Sequence, residues 1–132
     1  MNINWEMLLS ILTIALSLIA WLTSYRHNRF YLESTAFNLI HNAKSVLDKE
    51  TLKANSEINY APLIEDYVNA LNYSCSLYIE NKINKKRFKV LYKEDIIIIF
   101  TEKVFQDVLN KNIQDFTYLR EVYLEIVKTS KE

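Results

Sequence analysis

The sequence contains no glycine, one proline and one cysteine, and its 16 basic and 16 acidic residues cancel to zero formal charge. Ordinary usage would supply about nine glycines in such a length. Hairpin turns, dinucleotide-binding turns and phosphate-cradling loops lean on glycine, which alone enters the left-handed backbone region without steric cost. Its absence argues against β-rich and nucleotide-loop folds and favours helices, with asparagine taking the left-handed caps. Asn55, Asn59, Asn81, Asn84, Asn110 and Asn112 fall near the predicted helix ends. The lone Cys75 makes no internal disulfide, which suits a reducing compartment. Zero net charge offers no bulk attraction to nucleic acid, and none is expected as a partner.

Chemistry-bearing groupings are equally scarce. No metal signature, nucleophile elbow or phosphate loop is present. His27 and His41 lie fourteen residues apart, which on one helix is about 21 Å and too far to share a metal. Cys75 falls on an apolar stripe, where cysteine acts as a small hydrophobe. The acid pairs Glu65–Asp66 and Glu94–Asp95 sit at predicted helix starts, where the helix dipole accounts for them. The sequence predicts no enzyme, no cofactor and no metal.

What the sequence does contain is a long apolar run, WEMLLSILTIALSLIAWLTSY, from Trp5 to Tyr25, with no charge between Met7 and Ser24. At about 1.5 Å per residue, such a helix covers the roughly 30 Å hydrocarbon core of a bilayer. Trp5 at one end and Trp21 and Tyr25 at the other suit the headgroup level. Residues 1–6 carry no Lys or Arg, unlike the basic start of a cleaved signal peptide. All basic residues follow residue 25, with Arg26 and Arg29 beside the apolar run. The positive-inside rule therefore predicts an outside N-terminus and a cytoplasmic remainder. The expected domains are an anchor over 1–25 and a cytoplasmic helical domain over 26–132.

Inside the run, Ser10, Thr13, Ser17, Ala20 and Ser24 recur at spacings of 3, 4, 3 and 4. In lipid, helices associate through close backbone approach and interhelical hydrogen bonds, so this small-residue stripe is the expected face of self-association. The competing reading is that the hydroxyls bond their own i−4 carbonyls. Beyond the run, helices are predicted over 26–49, 62–82, 95–110 and 113–129, with a short one over 85–92. Pro62 opens the second, Asp95 caps the fourth, and Phe88 and Leu91 face inward on the short piece. Ile96–Ile99 has strand propensity but no partner strand. The predicted fold is all-α: one transmembrane helix, then a bundle of about four helices and a short one.

Lys82, Lys85, Lys86, Arg87, Lys89 and Lys93 place six cations in twelve residues with no acid among them. A solvated helix connection explains such a run. A surface for anionic headgroups, where each cation adds on the order of 1 kcal/mol, or for an acidic partner, uses it. Arg26 and Arg29 would join the same contact. The nine tyrosines suit a wet-edged interface with a cytoplasmic partner.

Leu71-Asn72-Tyr73, followed by Ile79, Ile83 and Phe88, resembles a pattern in small bacterial single-pass membrane proteins of unknown function. In that group a helical cytoplasmic domain follows an N-terminal anchor, often in prophage or defence-associated genes. Proteins of that kind tend to carry a glutamate and a glycine where this chain has Cys75 and Asn81. The resemblance covers about residues 60–110 and implies architecture and a bacterial inner-membrane setting rather than an activity. The function expected from all of this is a membrane-anchored interaction or scaffold protein that self-associates through its span. The alternative is a membrane-perturbing effector, of abortive-infection or toxin type, acting through assembled spans.

Overall fold

The structure, a computed structural model, describes residues 4–53, 59–111 and 115–130. It is all-helical, with no strand among the described residues: α1 (Trp5–Leu52), α2 (Ala61–Ile79), α3 (Lys85–Thr101), α4 (Lys103–Lys111) and α5 (Thr117–Thr129). The chain divides into two compact units, Met1–Tyr31 and Leu32–Glu132.

The N-terminal unit is helical from Trp5 onward. Asn4 starts it: its Oδ1 accepts from the amides of Glu6 and Met7, at 3.2 and 3.3 Å, and Glu6 adds a carboxylate to the first turn. Every residue from Asn4 to Asn28 is exposed. This one helix, near the N-terminus, is long and apolar enough to cross a membrane, and none of its apolar window is buried within the chain.

The C-terminal unit has its own core. α1 contributes Ala36, Ile40 and Leu47, at the 3.6-residue spacing of a single helical face. α2 contributes Ile64, Tyr67, Val68, Leu71, Cys75 and Tyr78, and α5 contributes Leu119, Val122 and Ile126. The three paired contacts of α1 with α3 run in register. Glu33 meets Asn84 and Arg87, Phe37 meets Phe88 and Tyr92, and Lys44 meets Asp95. The helices α1 and α3 therefore point the same way, with α2 returning between them in sequence. Asn72 of α2 aligns with Leu119 of α5, and Tyr78 with Glu125, so α5 runs in the direction of α2.

The helix boundaries differ most from the sequence reading around α3 and α4. The predicted gap between 92 and 95 is absent, and α3 continues to Thr101. The break falls at Glu102, whose backbone is extended (φ −84°, ψ 131°). Nothing in the sequence marks it, since no glycine or proline is near. The side-chain amide of Gln106 donates to the Phe100 carbonyl at 2.8 Å, satisfying an acceptor near the break. The short element is thus α4 rather than 85–92. Asp95 is not a cap but an interior residue of α3, and Glu94–Asp95 mark no helix start. Leu91 is half exposed because the inward face of α3 is set by Phe88, Ile96 and Ile99. One helical turn cannot bury four consecutive isoleucines: Ile96 and Ile99 are buried while Ile98 is exposed.

Candidate functional site

Two groups of residues were expected to carry function: the small-residue stripe of the N-terminal unit, and eight cations, of which Arg26 and Arg29 lie in the N-terminal unit and the other six in the C-terminal unit. In the N-terminal unit the stripe residues Ser10, Thr13, Ser17, Ala20 and Ser24 are all exposed. The Ser10, Thr13 and Ser17 hydroxyls donate to the carbonyls of Glu6, Leu9 and Thr13, at 2.9, 2.8 and 2.8 Å. Off the stripe, Thr23 donates to Ile19 in the same way. Each of these hydroxyls thus spends its one proton within the helix and presents only acceptor capacity outward. What the stripe offers a neighbouring helix is small size first and polarity second. At its C-terminal end the Trp21 and Tyr25 rings stack, with centroids 5.9 Å apart.

The second group is the basic segment of the C-terminal unit, built around the turn between α2 and α3. α2 ends in a Schellman motif. The Lys82 amide donates to the Leu77 carbonyl at 2.9 Å and the Asn81 amide to Tyr78 at 3.2 Å. Asn81 has φ 57°, the one positive value among the described non-glycine residues, so asparagine fills the left-handed position as expected. Ile83 then turns inward and is fully buried. Asn84 takes extended backbone and caps α3, its Oδ1 accepting from the Arg87 amide at 3.0 Å.

In a capping box, a glutamate three residues after the cap reaches back to the cap's own amide. That position here is Arg87. The missing carboxylate comes from α1: Glu33 Oε2 accepts from the Asn84 amide at 2.9 Å, and Oε1 from the Arg87 guanidinium at 3.0 Å. Glu33 is buried, and the Arg87 guanidinium also lies over the Phe37 ring. Sequence reasoning missed Glu33. Its only trace is an acid one turn before Ala36 on the buried face of α1.

The six cations therefore do not form a bare patch. Lys82 pairs with Glu80, Arg87 with Glu33 at 3.0 Å, and Lys89 with Glu125 at 2.7 Å. Lys85 lies 4.7 Å from the centroid of the Tyr78 ring. Lys86 and Lys93 are exposed, with no ion pair among the described residues. Tyr78 donates its hydroxyl to Glu125 Oε1 at 2.7 Å, beside Lys89. Burial works against ionisation of Glu125, yet the hydrogen bonds from Lys89 and Tyr78 outweigh it and hold the carboxyl below its ordinary range. Glu125 in turn holds the Lys89 ammonium above its ordinary value. The depressed acid gives stability that is present above the ordinary carboxylate range and lost as pH falls through it. The raised base gives stability that is lost only as pH rises beyond the lysine range. Glu125→Gln is expected to cost under about 1 kcal/mol between those limits, because both groups are substantially exposed. Its unfolding free energy and that of the parent should converge below about pH 4. Denaturant titration of both proteins across pH checks this.

The remaining candidates are placed plainly. His27 and His41 are exposed. Cys75 is fully buried, and burial pushes its thiol far above the ordinary value, so it is a core residue rather than a nucleophile. Tyr67 is also buried and pushed up, first by burial and then by the charge of Asp95, which pairs with Lys44 at 2.7 Å. An open cleft of about 480 Å³ between α1 and α2 is lined by Leu39, Val46, Leu63 and Tyr73, with Asn42, Asp66 and Asn69 at hand. Asn55 and Asn112 lie outside the described residues. Compared with family models, curated proteins and solved structures, the chain matches none.

Proposed function

We propose that this chain is a membrane-anchored helical interaction protein. Its span self-associates along Ser10, Thr13, Ser17, Ala20 and Ser24, and its C-terminal unit engages a cytoplasmic partner. The observation that carries the reading is an apolar stretch of helix, Trp5 to Tyr25, exposed on every side, in a chain whose buried core is supplied by residues from Ala36 onward. Such a surface demands lipid or other apolar helices around it. The placement is a bacterial inner membrane, crossed once, with the N-terminus outside and residues 26–132 in the cytoplasm. The charge asymmetry about residue 25 supports the orientation, and the resemblance described above supports the bacterial setting. The cations Arg26, Arg29, Lys82, Lys85, Lys86, Arg87, Lys89 and Lys93 supply contacts to the membrane surface or to an acidic partner.

Self-association is tested by replacing Ser10, Thr13 and Ser17 together with leucine in the full chain. The expected result is several-fold less crosslinked dimer in native membranes, since three bulky side chains hold the backbones apart. Crosslinking equal to the parent's would overturn the stripe as the interface. The same pair of proteins separates the effector reading. A scaffold leaves membrane potential steady on expression, whereas depolarisation abolished by the leucine variant would replace the scaffold by a membrane-perturbing effector.

A further inference from the structure

We infer that the turn between α2 and α3, carrying Lys82, Lys86 and Arg87, is the face on which the C-terminal unit docks against anionic lipid headgroups, and that Lys93 takes no part. The inference rests on reading residues 5–25 as a membrane span, and it chooses lipid over an acidic protein for this part of the basic segment.

The first argument is placement within the C-terminal unit. Glu33 is the second residue of that unit, and its carboxylate binds both the Asn84 amide and the Arg87 guanidinium. The α2–α3 turn is thereby fixed to the point where the chain enters the unit. Only eight residues separate Tyr25 from Glu33, a path of at most about 28 Å even when fully extended. The other end of α1, at Leu52, lies nineteen residues beyond Glu33, roughly 28 Å further by helical rise. The turn is therefore at the end of the unit where the chain enters it.

The second argument is charge. Lys82, Lys86 and Arg87 are exposed at this end, and Lys128 lies in the last turn of α5, which runs toward it. Three carboxylates face the same groups: Glu33 and Glu80 hold Arg87 and Lys82, and Glu125 holds Lys89. Lys86 stays outside these pairs. The Lys82 ammonium and the Arg87 guanidinium keep about half of their surface open, 52% and 59%. A phosphate oxygen can thus share each of them without breaking its pair. At the start of α3 Glu33 takes the Asn84 amide and Asn84 takes the Arg87 amide, and the docking contact is assigned to side chains. Screening confines such attraction to about 8 Å at physiological salt, so position decides which lysines contribute.

Lys93 is the internal control. It shares the exposed face of α3 with Lys86 but lies seven residues on, about 10 Å up the helix and beyond one screening length. Composition treats the two lysines as equal, and the fold does not.

The test uses the full unmodified chain in bilayer nanodiscs, either purely zwitterionic or about one-third phosphatidylglycerol. Lysines are acylated with a membrane-impermeant reagent and their rates read by mass spectrometry. The expected result is that Lys82 and Lys86 react about fivefold more slowly in the anionic discs, from roughly 1 kcal/mol per cation, while Lys93 reacts equally in both. Equal rates at Lys86 in the two membranes, or equal protection of Lys86 and Lys93, would overturn the docking face. Span insertion is read separately, by flotation of the full chain with vesicles after carbonate treatment. A chain that fails to float overturns the membrane reading itself, and the docking face with it. A chain that floats without lysine protection overturns the docking face alone.

Discussion

Phe88→Ala is expected to unfold the C-terminal unit or bring it to the edge of unfolding. Phe88 is fully buried. Its ring lies against those of Phe37, Tyr78 and Tyr92, with centroids 6.4, 5.4 and 5.3 Å away. Among the described residues it is the one at which rings from α1, α2 and α3 meet. Truncating such a side chain removes its transfer free energy and leaves a cavity that rigid aromatic neighbours cannot close, at about 3–5 kcal/mol. A small domain has only about 5–15 kcal/mol to lose. Hydrogen exchange of the full chain in detergent checks this: amides of α2 and α3 should lose most of their protection. Leu91→Ala is the control, on the same helix but half exposed, and should change stability by less than about 1 kcal/mol. Comparable losses in the two variants would show that the aromatic cluster does not organise the core.

The second large effect is expected at Glu33. Glu33→Ala leaves the Asn84 amide without its acceptor and Arg87 without its carboxylate, and should cost about 1–3 kcal/mol. The figure stays below that for a fully buried pair, because the Arg87 guanidinium reaches solvent. The loss should be local before it is global. Amides of the first turn of α3 should exchange faster, while those near Ile96 and Ile99 hold. Glu33→Gln, which keeps one acceptor oxygen for the Asn84 amide, should recover part of that protection. Arg87→Ala, which leaves the amide bond intact, should be the mildest of the three. The reverse order, with Arg87→Ala the most damaging, would mean that the ion pair rather than the cap holds the turn.

These two residues also mark how far the sequence could be read. The all-helical fold followed from the missing glycine and from apolar spacing in α2 and α5, where single faces supply the core. Asn81 in the left-handed position and Pro62 in the first turn of α2 followed from the same local rules. Phe88 was legible as an inward residue, whereas Leu91, expected inward beside it, is half exposed. Glu33 was not legible, because its partner Asn84 stands 51 positions away and capping rules look only at neighbours. The start of α5 escaped for the same reason. Its N-cap is Phe116, which has no capping side chain, and the acceptor for the Leu119 amide is Asn72 of α2, at 3.0 Å. The break at Glu102 was hidden because its extended backbone is supported by Gln106 rather than announced by a breaker residue. In the basic segment the cations were countable, but of the three carboxylates that engage half of them only Glu80 is local, while Glu33 and Glu125 stand 54 and 36 positions from their partners.

The distance in sequence between Glu33 and Asn84 has a consequence for the growing chain. Synthesis at about 5–20 residues per second separates the two by roughly 3–10 s. Within that interval Ala36, Ile40 and Leu47 are added, while the α3 residues that Glu33 will cap do not yet exist. The apolar face of α1 is therefore uncovered until the helices that pack on it have been made. A nascent chain in that state is a substrate for holding factors, and its dependence on them should end once α5 has left the ribosome.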